Sequence, residues 1–161
     1  MFNSKRKSYF IQKFFLCLMV CLGGGWLIGL VTQRESKEWY IHLIKPYGTP
    51  ADIVFPIVWS ILYLSMAAAL ALLWISKTSG KKVAFLFFIV QLFLNFIWPW
   101  LFFYMQEPGL ALVDILLLWF SILVTIRLFW DHTRYGSYLL LPYLIWVSYA
   151  LYLNLFIWIG N

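Results

Sequence analysis

Along this chain long apolar runs alternate with short segments rich in charge, proline or glycine, and the runs fall at about 10–31, 54–76, 83–104, 110–130 and 138–159. A hydrocarbon core about 30 Å thick takes roughly 20 helical residues to cross, so each run is long enough to span a bilayer. Lipid offers the backbone no hydrogen-bond partner, and each run is therefore predicted to be a helix. What is left over is too short for a second domain. The expectation is an all-α, polytopic membrane protein: one domain over residues 1–161, five transmembrane helices in a single bundle, and a long first loop at about 32–53.

The runs are not uniformly apolar, and the exceptions are periodic. Counting from Gln91, positions four, seven and eleven residues on are Asn95, Trp98 and Phe102, all on one helical face. A side-chain amide in hydrocarbon is costly, so Gln91 and Asn95 are expected to face the bundle interior. Pro99 cannot donate to the carbonyl of Asn95, which predicts a kink there and a freed acceptor. The second run carries Phe55, Trp59, Tyr63 and Met66 at helical spacing. The fifth carries Tyr143, Trp146, Ala150 and Asn154 just after Pro142, and the fourth offers Asp114, Ser121 and Thr125 on roughly one side. Four helices with aromatic walls and sparse amides and hydroxyls describe a pocket for a flat, mostly apolar ligand with a few polar edges. The same residues also read as glue, hydrogen-bonding one helix to the next. Asp114, the one acid well inside a run, is either a proton or ligand partner or a tether near the interface. Gly25 and Gly29, like Ala67 and Ala71, have the spacing that lets backbones approach closely, within the bundle or between protomers.

Composition closes off the soluble alternatives: 64% of the 161 residues are hydrophobic, 11% are charged, and the mean hydropathy is +0.86. The net charge of +6 is unevenly spread. Lys5, Arg6, Lys7 and Lys13, then Lys77, Lys81 and Lys82, then Arg127 and Arg134 share one side of the alternating loops. Arg34, Lys37 and Lys45, offset by Glu35, Glu38 and Asp52, hold the other. The positive-inside rule then puts the N-terminus in the cytoplasm, with a bacterial cytoplasmic membrane as the expected home and an outer or organelle membrane as the alternative. Dispersed charges make no basic face for nucleic acid. The basic opening "KRKSYFIQK" resembles the start of a secretory signal, but the run after it is too long and lacks an A-x-A-like site, so it is expected to remain as the first span. Cys17 and Cys21, with no further ligand near them in sequence, read as small buried hydrophobes, and no metal is assigned. His42 and His132 fall in loops on opposite sides, leaving no histidine inside the bundle for a haem iron. No Ser/His/Asp, zinc or phosphate-loop spacing occurs, so no catalytic residue and no obligatory cofactor are assigned.

The first loop mixes aromatics with two prolines and a glycine in "EWYIHLIKPYGTPAD", a restrained backbone that reads either as a lid or as an interfacial anchor with Trp39 and Tyr40 at headgroup level. Together with that loop, "FPIVWSILYLSMAAAL", "QLFLNFIWPWLFFYMQEPGLALVD" and "LLPYLIWVSYALYLNLFIW" follow in order from about residue 39 to 158 and resemble the TspO/MBR family of tryptophan-rich sensory and translocator proteins. The resemblance implies a five-helix bundle, usually a homodimer, whose cavity under the first loop binds porphyrins such as protoporphyrin IX and haem, and in some members sterols and synthetic ligands. Carried onto the matching positions, it implies a pocket of Trp59, Tyr63, Asn95, Trp98, Asp114, Trp146 and Ala150, with Trp39, Lys45 and Pro46 as a candidate lid. Two features depart from the family. Gly48 and Ala51 stand where a tryptophan and a second proline are common, and nothing basic follows Arg134, so sterol recognition through the C-terminal motif of animal members is not expected.

The expected function is that of a membrane receptor or carrier for a porphyrin-like small molecule, in sensing, transport or scavenging, with the bilayer and a second copy as its other partners. Two alternatives stand beside it: light- or oxidant-dependent breakdown of bound porphyrin, and proton-coupled transport through Asp114.

Overall fold

The computed structural model describes residues 4–161, with the side chains of 7–32 and 38–161. Lys5, Arg6, Arg34, Glu35 and Lys37, which carry part of the charge asymmetry, lie outside those side chains. Among the described residues five helices are long and apolar enough to cross a membrane. The first, α1, runs through Ser4–Leu18, a π-helical turn at Met19–Gly23, and Gly24–His42. Next come α2 (Val54–Ile75) and α3 (Lys82–Pro99, continued by a π turn at Trp100–Tyr104), then α4 (Pro108–Trp130) and α5 (Arg134–Gly160). The apolar runs located α2 to α5 to within about one helical turn.

The first loop is shorter than expected. It was placed at about 32–53, whereas α1 continues to His42 and the connection is residues 43–53. The polar stretch after Thr32 ends the apolar run but not the helix: Gln, Arg, Glu and Lys are good helix formers, and no proline or glycine interrupts them. The break comes at Leu43, whose ψ of 142° is extended. Trp39 and Tyr40 therefore sit on a helix end, with their rings edge-on to Phe102 at 5.7 and 6.4 Å. They dock on the π turn of α3.

The helices close a ring in which α1 packs along α2, α2 along α5, α5 along α4 and α4 along α3, while the later half of α1 returns to α3. Large apolar side chains such as Ile57, Ile61, Val113, Leu117 and Phe120 face outward, where acyl chains are their natural neighbours. Small residues face inward. Ala67 and Ala71 are fully buried, and a Cβ on Gly25 would overlap the Tyr63 ring, so these positions serve contact within the bundle.

Pro99 does not simply kink α3. The helix changes register into the π turn, with the Met105 N–H donating to the Trp100 carbonyl at 2.9 Å. Other ends are capped by side chains. Thr133 accepts from the Gly136 N–H at 3.2 Å at the start of α5. At the end of α2, Lys81 Nζ donates to the carbonyls of Leu73, Trp74 and Ser76 at 3.3, 2.8 and 2.6 Å, meeting acceptors that no residue within the helix can satisfy. Lys81→Met keeps the aliphatic stem and removes all three bonds. It is expected to destabilise the bundle by about 1–2 kcal/mol, read as a lower thermal midpoint in detergent, and Lys81→Arg is expected to recover most of the loss.

Candidate functional site

Four of the five helices converge on one cavity. Its lining is Trp59 from α2, Asn95 and Trp98 from α3, Ile115 and Leu118 from α4, and Val147 and Ala150 from α5. Three of those helices contribute residues three apart, so the hollow is about one helical turn tall. As it stands, its free space has room for about one water molecule.

Hydrogen bonds between helices hold the walls. An indole N–H can only donate, so the 2.9 Å bond from Trp98 Nε1 to Asn154 Oδ1 fixes which way the Asn154 amide points. The other end of that amide donates to the Pro108 carbonyl at 2.8 Å, tying α3, α4 and α5 together. Trp98 also stacks on Phe102 with ring centroids 5.0 Å apart. Behind the cavity the Tyr63 hydroxyl donates to Asn95 Oδ1 at 2.8 Å. With its oxygen taken, Asn95 keeps its NH2 group as a donor, with the Tyr143 hydroxyl nearby. Trp59 lies against Tyr63 at 5.6 Å and meets the Tyr143 ring edge-on at 6.2 Å.

The residues singled out in the sequence fall into three places. Trp59, Asn95, Trp98 and Ala150 line the cavity, and Tyr63 stands one bond behind it. Trp146 and Asp114 are not on the lining. Trp146 belongs to an adjacent aromatic cluster, 6.0 Å from Phe55 and 5.6 Å from Tyr149, and its ring N–H is buried without a partner. Asp114 is 6% exposed, with Oδ2 buried and unpaired. Sequence reasoning missed Ile115, Leu118 and Val147, since an aliphatic residue inside an apolar run carries no signal of its own. Only the helical spacing of Leu118 from Asp114 and of Val147 from Ala150 pointed to that face.

Of the candidate lid, Pro46 is buried and Lys45 Nζ stands 4.1 Å above the Tyr40 ring. Burial, then the Asp52 carboxylate and Tyr149, push the Tyr40 phenol above its ordinary range, so that ring meets the lysine as a neutral face. Trp39 packs on α3. Residues 43–53 are tied to α5 at two points. The Tyr149 hydroxyl donates to the Gly48 carbonyl at 2.7 Å. The Asn161 side chain accepts from the Ile44 N–H at 2.9 Å and donates to its carbonyl at 3.3 Å. Gly48 has φ +89° in a turn closed by the Thr49 N–H on the Pro46 carbonyl at 3.2 Å, a left-handed position that favours glycine.

The chain matches the model of the TspO/MBR family over residues 17–159. It is 42% identical over 143 residues to the tryptophan-rich protein TspO of Chlorobaculum tepidum, covering 86% of this chain and 89% of that one. Against the tryptophan-rich sensory protein of Cereibacter sphaeroides the identity is 31% over 140 residues, 87% and 86% of the two chains. Against the translocator protein of Bos taurus it is 33% over 141 residues, 86% and 83%. The chain belongs to the TspO/MBR family.

The contact of α1 with Tyr63 controls a group that reaches the cavity. Gly25→Ala drives a methyl into the Tyr63 ring and is expected to lose about 1–3 kcal/mol of stability. Tyr63→Leu in the same chain should make the two losses sum to less than their separate values, a coupling that a double-mutant cycle of thermal midpoints measures.

Proposed function

We propose that this TspO/MBR membrane protein is a receptor or carrier for a flat, amphipathic aromatic ligand of the porphyrin kind, bound among α2, α3, α4 and α5 beneath residues 43–53. The observation that carries the reading is the meeting of Trp59, Trp98 and the Asn95 amide, from two helices, at one cavity otherwise lined by aliphatic side chains. Indole faces suit a conjugated ring, and the Asn95 NH2 group suits an acceptor on its edge. The asymmetry of lysine and arginine along the chain supports a cytoplasmic N-terminus with residues 43–53 on the far side, and a homodimer is the expected assembly.

Pockets for ligands of this size are about 300–1,000 Å³. The cavity therefore widens on binding, and the connection 43–53, held to α5 by the Tyr149 and Asn161 bonds, is the piece with least to lose by moving. Tyr149→Phe removes one of those ties. It is expected to speed both association and dissociation of protoporphyrin IX several-fold in stopped-flow fluorescence, with little change in affinity.

Titration of protoporphyrin IX against tryptophan fluorescence tests the site itself. Trp59→Phe combined with Asn95→Leu is expected to weaken binding by roughly tenfold or more. Unchanged affinity in a variant that still folds would remove the cavity from consideration.

A further inference from the structure

The layer of side chains directly beneath the cavity is polar and incomplete. One helical turn before Asn95, on the same face of α3, is Gln91, 1% exposed, with neither its amide oxygen nor its amide nitrogen partnered. One turn before Val147 on α5 is Tyr143, fully buried, whose hydroxyl lies beside the Asn95 side chain but makes no well-formed hydrogen bond. One turn beyond Trp59 on α2, which runs the opposite way, is Tyr63, whose hydroxyl reaches up to Asn95. The α4 position at this depth, Ile122, is apolar and buried. The layer touches the cavity wall, since the Tyr143 ring lies 6.2 Å from that of Trp59.

Packing does not explain a glutamine here. Leu or Met fills a similar volume, whereas a buried amide left unpaired costs about 1–3 kcal/mol, and native interiors seldom leave both ends of one unmet. A carboxamide or a protonated carboxyl group carries a donor and an acceptor side by side and can pair with Nε2 and Oε1 together. A charged carboxylate cannot take that place without a large desolvation cost, because these four positions bring no cation to it.

We infer that Gln91 and Tyr143 form a deep subsite, one helical turn beneath the present cavity floor, for the uncharged hydrogen-bonding end of the ligand. This subsite presupposes ligand binding in the cavity and adds a direction to it. A guest enters with a neutral donor–acceptor group leading, and any anionic edge stays toward residues 43–53.

The test uses the full chain in detergent and two probes of matched shape, 2-naphthamide and 2-isopropenylnaphthalene, titrated calorimetrically and corrected for partition into empty micelles. The unaltered protein is expected to bind the amide roughly tenfold more tightly than the hydrocarbon. Gln91→Met should abolish that preference, leave hydrocarbon binding intact and raise the thermal midpoint, because the unpaired amide is gone. Tyr143→Phe should reduce the preference several-fold, and it carries the test alone if Gln91→Met does not fold. A preference that survives both substitutions overturns the subsite, as does an unaltered protein that binds the two probes equally or binds neither. Protoporphyrin IX titrated against the same proteins separates the two ideas: porphyrin binding without any amide preference sinks the subsite and leaves the ligand-binding reading standing.

Discussion

Inside a bilayer a polar side chain has no water to fall back on, and that constraint organises this bundle. Each buried amide, hydroxyl or indole N–H must find its partner on another helix or on its own backbone, so the polar groups act as rivets. Tyr63 to Asn95 joins α2 to α3. Trp98 to Asn154, and Asn154 to Pro108, join α3, α5 and the start of α4. Ser65 to the Leu139 carbonyl joins α2 to α5, and Trp119 to Ser148 joins α4 to α5. Apolar packing alone would let these helices slide, because an acyl chain is as good a neighbour for leucine as another leucine is. Directional bonds set the register, and once it is set the aromatic faces have fixed places.

The groups that escape this pairing are as informative as those that obey it. Gln91, Tyr143, Trp146 and Asp114 each keep a buried polar atom without a partner, and all four lie on or beside the walls of the cavity's four helices. By contrast α1, which contributes nothing to the lining, is the helix whose glycines admit close approach, with a Cβ on Gly24 overlapping Phe96 and one on Gly25 overlapping Tyr63. The division of labour is physical. A helix that must lie flush against an aromatic wall sheds its side chains, while the helices that line the cavity keep theirs.

Much of this was legible from residue order because hydrocarbon punishes exceptions so heavily. Asn95 in an apolar run had to turn inward, and Trp59, Trp98 and Ala150 followed from helical spacing. Two kinds of information were not there to be read. A change of solvent looks the same in sequence as the end of a helix, so the polar residues after Thr32 read as a loop although nothing in them breaks α1. An aliphatic lining residue is chemically identical to an aliphatic core residue, so Ile115, Leu118 and Val147 could be told apart only by geometry. Trp146 and Asp114 stand off the present lining for a related reason: spacing assigns a side chain to a face, but a face is wide, and the cavity takes only part of it.

The connection 43–53 is held in place through its backbone. Both ties that hold this segment fall on main-chain atoms, the Gly48 carbonyl and the peptide groups of Ile44. Main-chain anchoring does not depend on which side chain the loop carries, only on whether the backbone can reach. Glycine at position 48 takes the left-handed φ of this turn at little steric cost, and its carbonyl accepts from Tyr149. The segment is thus strapped to α5 and to the terminal Asn161 by bonds that can open without unfolding any helix.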